Sequence, residues 1–237
     1  MAKLDSDYLQ RLDKYINDPA TAPENREKGV ANELKGNVAP EEIRANMQAL
    51  LYLVIDKSIS MRSNGLEEAV RQGLEDVKRT VNGSIEVDCI QTAMTFFGST
   101  IEMRPFQYGE RIDISYEANE PSTRLYDAVI KSCKNMVDQY DKLEPNAEMK
   151  GVMFIFTDGE ENNSEHNLED LQRAIRSMLQ KDPEEKETKR NIKLLVTGFK
   201  GADIERLAKE FETEQIVFNI DHILRRLMRF VSKTAME

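Results

Sequence analysis

From residue 49 onward the chain alternates between two hydrophobic periods. Ala49-Leu50-Leu51-Tyr52-Leu53-Val54-Ile55 is an unbroken apolar run, the pattern of a strand buried on both faces. Leu66, Ala69, Val70, Leu74, Val77 and Val81 recur at helical spacing and mark one face of an amphipathic helix. Glu86 to Phe97 reads as a strand, and Ser99 to Phe106 as a second one joined to it through Gly98 as a hairpin. Leu125, Ala128, Val129, Cys133, Met136, Val137 and Tyr140 mark the next helix, and Gly151 to Phe156 the next buried strand. The pattern continues as helix 167–180, strand 192–198, helix 202–211, strand 215–220 and helix 221–232. The charged stretch Lys181 to Asn191 reads as a solvated loop.

This alternation predicts an α/β fold: a Rossmann-like three-layer sandwich. Its six-stranded sheet is mostly parallel, with helices on both faces and the hairpin adding one antiparallel edge strand. Right-handed crossovers place the loop after each parallel strand on one rim, the carboxyl end of the sheet, where ligands of such folds bind.

Residues 1–48 follow a different pattern and read as an N-terminal extension; residues 49–237 form the main domain. In the extension, Leu4, Tyr8, Leu12 and Ile16 form a stripe over a short helix at 5–17. A loop rich in Pro, Ala and Asn follows, and Pro40-Glu41-Glu42 has the composition of a helix start. The predicted helix is too short to be stable alone, so the extension packs back on the domain or docks a partner.

Composition narrows the classes. Lys and Arg number 33 and Asp and Glu 43, a net charge of −10. That sign argues against a protein that coats nucleic acid or an anionic membrane surface, since both need Lys and Arg facing phosphate. Hydrophobic residues make up 40%, a globular composition. No apolar run approaches the roughly 18 residues of a membrane span. The N-terminus has no apolar stretch of signal-peptide type, and Cys89 and Cys133 are too few for a disulfide framework. The expectation is a cytoplasmic protein. The basic patch Arg225, Arg226 and Arg229 reads as a solvated helix face.

Chemistry is then sought on the rim. Asp56-Lys57-Ser58-Ile59-Ser60-Met61 follows the first strand, Glu120-Pro121-Ser122-Thr123 precedes the helix at 125, and Thr157-Asp158-Gly159 follows the strand ending at Phe156. Singly, each has a bland explanation: Asp and Ser favour turns and helix caps, and Thr123 is an N-cap candidate. No glycine-rich phosphate loop is present at these positions. Together they bring acids and hydroxyls, with no His or Cys, from three loops to one rim. That donor set suits a hard cation such as Mg²⁺.

Asp56-x-Ser58-x-Ser60, Thr123 and Thr157-Asp158-Gly159 resemble the metal-ion-dependent adhesion site of the von Willebrand factor A domain family. Met61 after Ser60 and Leu125-Tyr126-Asp127-Ala128 after Thr123 are similar to the family's usual continuations. Ile59 stands where many members have Gly, and Pro121-Ser122 replaces a common Gly-Gly. The resemblance implies that Ser58, Ser60 and Thr123 touch the metal through their hydroxyls, while Asp56 and Asp158 act mostly through water or hydrogen bonds. It implies Mg²⁺, with Mn²⁺ or Ca²⁺ as alternatives, and a partner protein that supplies an Asp or Glu carboxylate. Lys57, Arg62, Arg124 and Glu160 are candidates for the partner-contacting rim. The chain looks like the stand-alone intracellular prokaryotic members, adaptors that sometimes work beside AAA+ ATPases.

The rival readings are a Mg²⁺-dependent hydrolase or phosphatase and a metal-free scaffold. A haloacid-dehalogenase-like phosphatase needs a second acid two residues after the first, and Ser58 stands there. A serine nucleophile needs a base, and the sequence shows no orienting partner for His166 or His222. The expectation is a non-enzyme.

Overall fold

The computed structural model describes residues 47–82, 87–108, 115–180, 189–197, 204–213 and 216–217. The expected helices at 5–17 and 221–232, His222 and the Arg225–Arg229 patch lie outside the described residues. In chain order the elements are β1 (Met47–Asp56), α1 (Ile59–Ser63), α2 (Glu67–Asn82), β2 (Ile90–Phe97), β3 (Ile101–Tyr108) and α3 (Leu125–Leu143). They continue with β4 (Glu148–Phe156), α4 (Leu168–Leu179), β5 (Ile192–Thr197), α5 (Ile204–Glu210) and β6 (Ile216–Val217).

Among the described residues the sheet order is β3-β2-β1-β4-β5-β6. β1 pairs in parallel with β2 and β4, β4 with β5, and β5 with the two-residue β6. Only β3 runs antiparallel, at the edge beside β2. This is the Rossmann-like α/β sandwich that the alternation predicts. Consecutive strand residues point to opposite faces, so the apolar run of β1 feeds two cores. Leu51, Leu53 and Ile55 meet Val70, Leu74, Val77 and Val81 of α2 on one face. Leu50, Tyr52 and Val54 meet α3, α4 and α5 on the other, through residues such as Val129, Met136, Ile175 and Leu207. No described helix is long and apolar enough to cross a membrane.

The sequence pattern and the fold differ in detail. The stripe that starts at Leu66 belongs to α2 alone, and a separate five-residue helix, α1, precedes it. Asn64 and Gly65 divide them, with Gly65 at φ +71°, a left-handed conformation that glycine adopts without strain. Ala69, counted in the stripe, faces solvent. The strand expected from Glu86 begins at Ile90 after a 3₁₀ turn over Val87–Cys89. β4 begins three residues before the apolar run because Glu148 already pairs with Met47.

Gly151 in β4 has no space for a side chain. A Cβ there would collide with Met136 Cε and come within 2.9 Å of Ile192 Cγ1. Gly151→Val is expected to cost about 1–3 kcal/mol through overpacking. Chemical denaturation measures it, and an unchanged midpoint would contradict the tight contact of α3 with this strand.

Candidate metal centre

The site begins where β1 ends. Asp56 is fully buried, and its backbone carbonyl accepts the Tyr116 hydroxyl at 2.6 Å. Its Oδ1 accepts the Ser58 N–H at 2.8 Å and its Oδ2 the Thr157 hydroxyl at 2.8 Å. Burial pushes the carboxyl up to about 7; the charge of Asp158 adds to this, and the bonds from Ser58 and Thr157 oppose it without cancelling it. Thr157 opens the motif Thr157-Asp158-Gly159 just past the end of β4, and its hydroxyl ties that loop to the tip of β1 across 101 residues, a contact the sequence did not show.

Ser58 is buried and Ser60 half-buried, with their hydroxyls 2.9 Å apart. Ser58 sits at the N-cap of α1, but its side chain makes no cap hydrogen bond. Thr123, also buried, is not a cap either: Arg124 occupies the N-cap of α3, without a side-chain cap bond. The bland explanation of these hydroxyls as helix caps therefore fails. Asp158 is half-buried at the tip of β4. Its Oδ1 accepts the Glu160 N–H and its Oδ2 the Asn64 side-chain amide, each at 3.1 Å.

Backbone bonds tie the three loops together. Glu120 forms a short parallel bridge to Ser58, donating to the Lys57 carbonyl at 2.9 Å and accepting the Ile59 N–H at 2.8 Å. The loop after β4 grips the start of α3. Asn162 Oδ1 takes the Thr123 N–H at 2.9 Å, Glu161 Oε2 takes the Tyr126 N–H at 3.0 Å, and Ser164 Oγ takes the Asp127 N–H at 3.2 Å. The Thr123 carbonyl accepts the Asn162 and Asn163 N–H groups in return. These donors include the orphan amides of the first helical turn, capped from another part of the chain.

Asp127 anchors this junction. It is 1% exposed, and its Oδ2 receives Arg124 Nε at 3.0 Å, Arg124 Nη2 at 2.6 Å and the Glu165 N–H at 3.1 Å. Its Oδ1 receives the His166 N–H at 3.1 Å and pairs with His166 Nδ1 at 2.7 Å. Burial alone would raise this carboxyl; the Glu165 N–H, His166 and Arg124 outweigh that and hold it below the usual carboxylate range. The structure thus supplies His166 with an orienting partner that the sequence did not reveal. The hydroxyls of Ser58 and Ser60, however, bond to each other.

Two of the four rim candidates stand in ion pairs: Arg124 with Asp127 and with Glu165 at 2.7 Å, and Arg62 with Glu67 at 2.9 Å and Glu117 at 3.3 Å. A partner's carboxylate would compete with these acids for either arginine. Lys57 is half-buried, while Glu160 and Ile59 are exposed beside the motifs.

Asp56, Ser58, Ser60 and Asp158 thus lie in one hydrogen-bonded rim, and Thr123 belongs to the loop bound to it. Among the described residues no three of His, Cys, Asp and Glu converge as a metal cluster, so a metal here would rest mainly on hydroxyls. The donors fit a hard divalent cation. They are all oxygens, and a buried carboxyl raised by desolvation is a group that a nearby positive charge would favour in its ionised form.

An α/β sandwich with acids and hydroxyls at the carboxyl tips of its central strands defines the class: a Rossmann-like domain whose polar rim lies where such folds bind their ligands. The chain belongs to the von Willebrand factor type A domain family, which matches residues 51–223, and domains of this family mediate protein–protein interactions. Among curated protein sequences none matches. Solved structures share the fold at low identity. The pilus adhesin SpaC of Lactobacillus rhamnosus GG is 12% identical with a TM-score of 0.56, over 80% of this chain and 31% of its own. The manganese-loaded TRAP protein of Plasmodium vivax is 17% identical with a TM-score of 0.56, over 78% of this chain and 74% of its own. A von Willebrand factor type A protein from Catenulispora acidiphila is 14% identical with a TM-score of 0.53, over 80% of this chain and 43% of its own. The chain therefore spans less than a third of the adhesin.

Proposed function

We propose that this protein is a metal-dependent protein-interaction module in which Mg²⁺ at the rim of the sheet binds a carboxylate of a partner. The observation that carries the reading is the pair of serine hydroxyls, 2.9 Å apart, beside a buried Asp56, with Ser58 making no side-chain cap bond to the helix it precedes. Ser58, Ser60 and Thr123 would offer hydroxyl oxygens to the ion, and Asp56 and Asp158 would orient them and its bound water. Neutral hydroxyls leave a divalent charge poorly compensated, so the bound ion attracts an external carboxylate. The manganese carried by the TRAP structure is in keeping with a divalent ion in this fold. A cytoplasmic location belongs to the same proposal; the buried thiol of Cys133 is in keeping with a reducing compartment.

The test is capture of a partner from lysate on immobilised protein, with Mg²⁺ and with chelator. The expected result is a partner released by chelator, regained with Mg²⁺ and lost in Ser58→Ala. Binding indifferent to both would favour a metal-free scaffold.

A further inference from the structure

We infer that Asn64 is a positioning residue of the metal centre, holding the Asp158 carboxylate in register with the turn that carries Ser60; this rests on the metal reading above. Two observations meet at this residue. Its backbone N–H closes α1 by donating to the Ser60 carbonyl at 2.8 Å, and the next two N–H groups, of Gly65 and Leu66, bond back to Arg62 and Met61. The main chain of Asn64 is therefore fixed relative to Ser60. Its side-chain amide then reaches across 94 residues of sequence to Asp158 Oδ2 at 3.1 Å. Asp158 Oδ1 is held by the Glu160 N–H, so both carboxylate oxygens are oriented.

The residue type matters. A carboxylate oxygen offers about two lone-pair sites, so one donor on each Asp158 oxygen leaves room for a water or a cation. Lysine would also grip Asp158, but it would place a positive charge beside the ion. Aspartate would bring no donor. A neutral amide orients the acid and leaves its charge available, which is the role outer hydrogen bonds play at metal sites. Asn64 is itself exposed, so the fold does not depend on burying it.

Calorimetric titration with Mn²⁺ and melting of the metal-free protein test this together. Asn64→Ala should bind Mn²⁺ about tenfold more weakly, with the metal-free melting temperature unchanged. Asn64→Lys, which keeps a donor and adds charge, should bind more weakly still, again with no loss of metal-free stability. Wild-type affinity in either variant overturns the inference and leaves the metal reading standing. A weaker Mn²⁺ affinity matched by a lower metal-free melting temperature assigns Asn64 to the fold and also overturns it. A wild-type protein that binds no Mn²⁺ removes the metal reading itself.

Discussion

Asp127→Ala should destabilise the protein by about 1–3 kcal/mol, the cost of leaving donors in the folded protein without their acceptor. The carboxylate is 1% exposed and accepts from Arg124, His166 and two backbone N–H groups. Removing it takes away the acceptor of all these donors, of which the partly exposed Arg124 and His166 recover some solvation and the backbone N–H groups lose most. Urea denaturation should show the loss as a lower midpoint at pH 7. The effect has a pH signature. The folded-state carboxyl lies below its ordinary value, and the unfolded one titrates near about 3.9. A depressed acid stabilises fully above the unfolded value and loses that contribution as pH falls through the folded one. The gap between wild type and Asp127→Ala should therefore be full above about pH 4 and narrow below it. A gap that stays constant into that acid range would mean that packing, not charge, holds α3 to the loop after β4.

The second large effect concerns Asp56. At a Mg²⁺ concentration of 100 times Kd, a ligand that binds only the folded state adds about 2.7 kcal/mol. For a domain of this size that is about 5–10 °C in melting temperature. Asp56→Asn should abolish the shift. Without metal the same variant should stay within about 1 kcal/mol of wild type, because the amide oxygen still accepts the Ser58 N–H and no buried charge needs solvating. If the wild type melts at the same temperature with Mg²⁺, Mn²⁺ and chelator, the metal centre is wrong. If Asp56→Asn responds as wild type does, its place in the centre is wrong.

Much of this was legible in the chain, for a physical reason. A strand buried on both faces must be apolar throughout, so the run Ala49–Ile55 announced β1 and set Asp56 at its tip. Helical periodicity gave α2, α3 and α4 because each buries a single stripe. Contacts between residues far apart in sequence but sharing a rim left no such trace. Thr157 bonds to Asp56 and Asn64 to Asp158 through residues whose types are common in any loop. Charge is visible in a sequence and pairing is not: only the structure shows Arg62 beside Glu67 and Glu117 and Arg124 beside Asp127 and Glu165. Ser58 and Thr123 had cap-like positions, and only the geometry shows the caps unused.

The way α3 is capped also bears on how the chain is made. The amide of Tyr126 finds its acceptor on Glu161, 35 residues later, and that of Asp127 on Ser164, 37 residues later. During synthesis the helix emerges long before those acceptors, and its first turn stays frayed until β4 has paired beside β1 and the following loop has folded back. Thr123 sits immediately before that turn, so the rim is completed late, after the central strands. A nascent chain stalled before residue 161 would lack both the finished rim and the α4, β5 and α5 side chains, such as Ile175, Val196 and Leu207, that complete the core around α3.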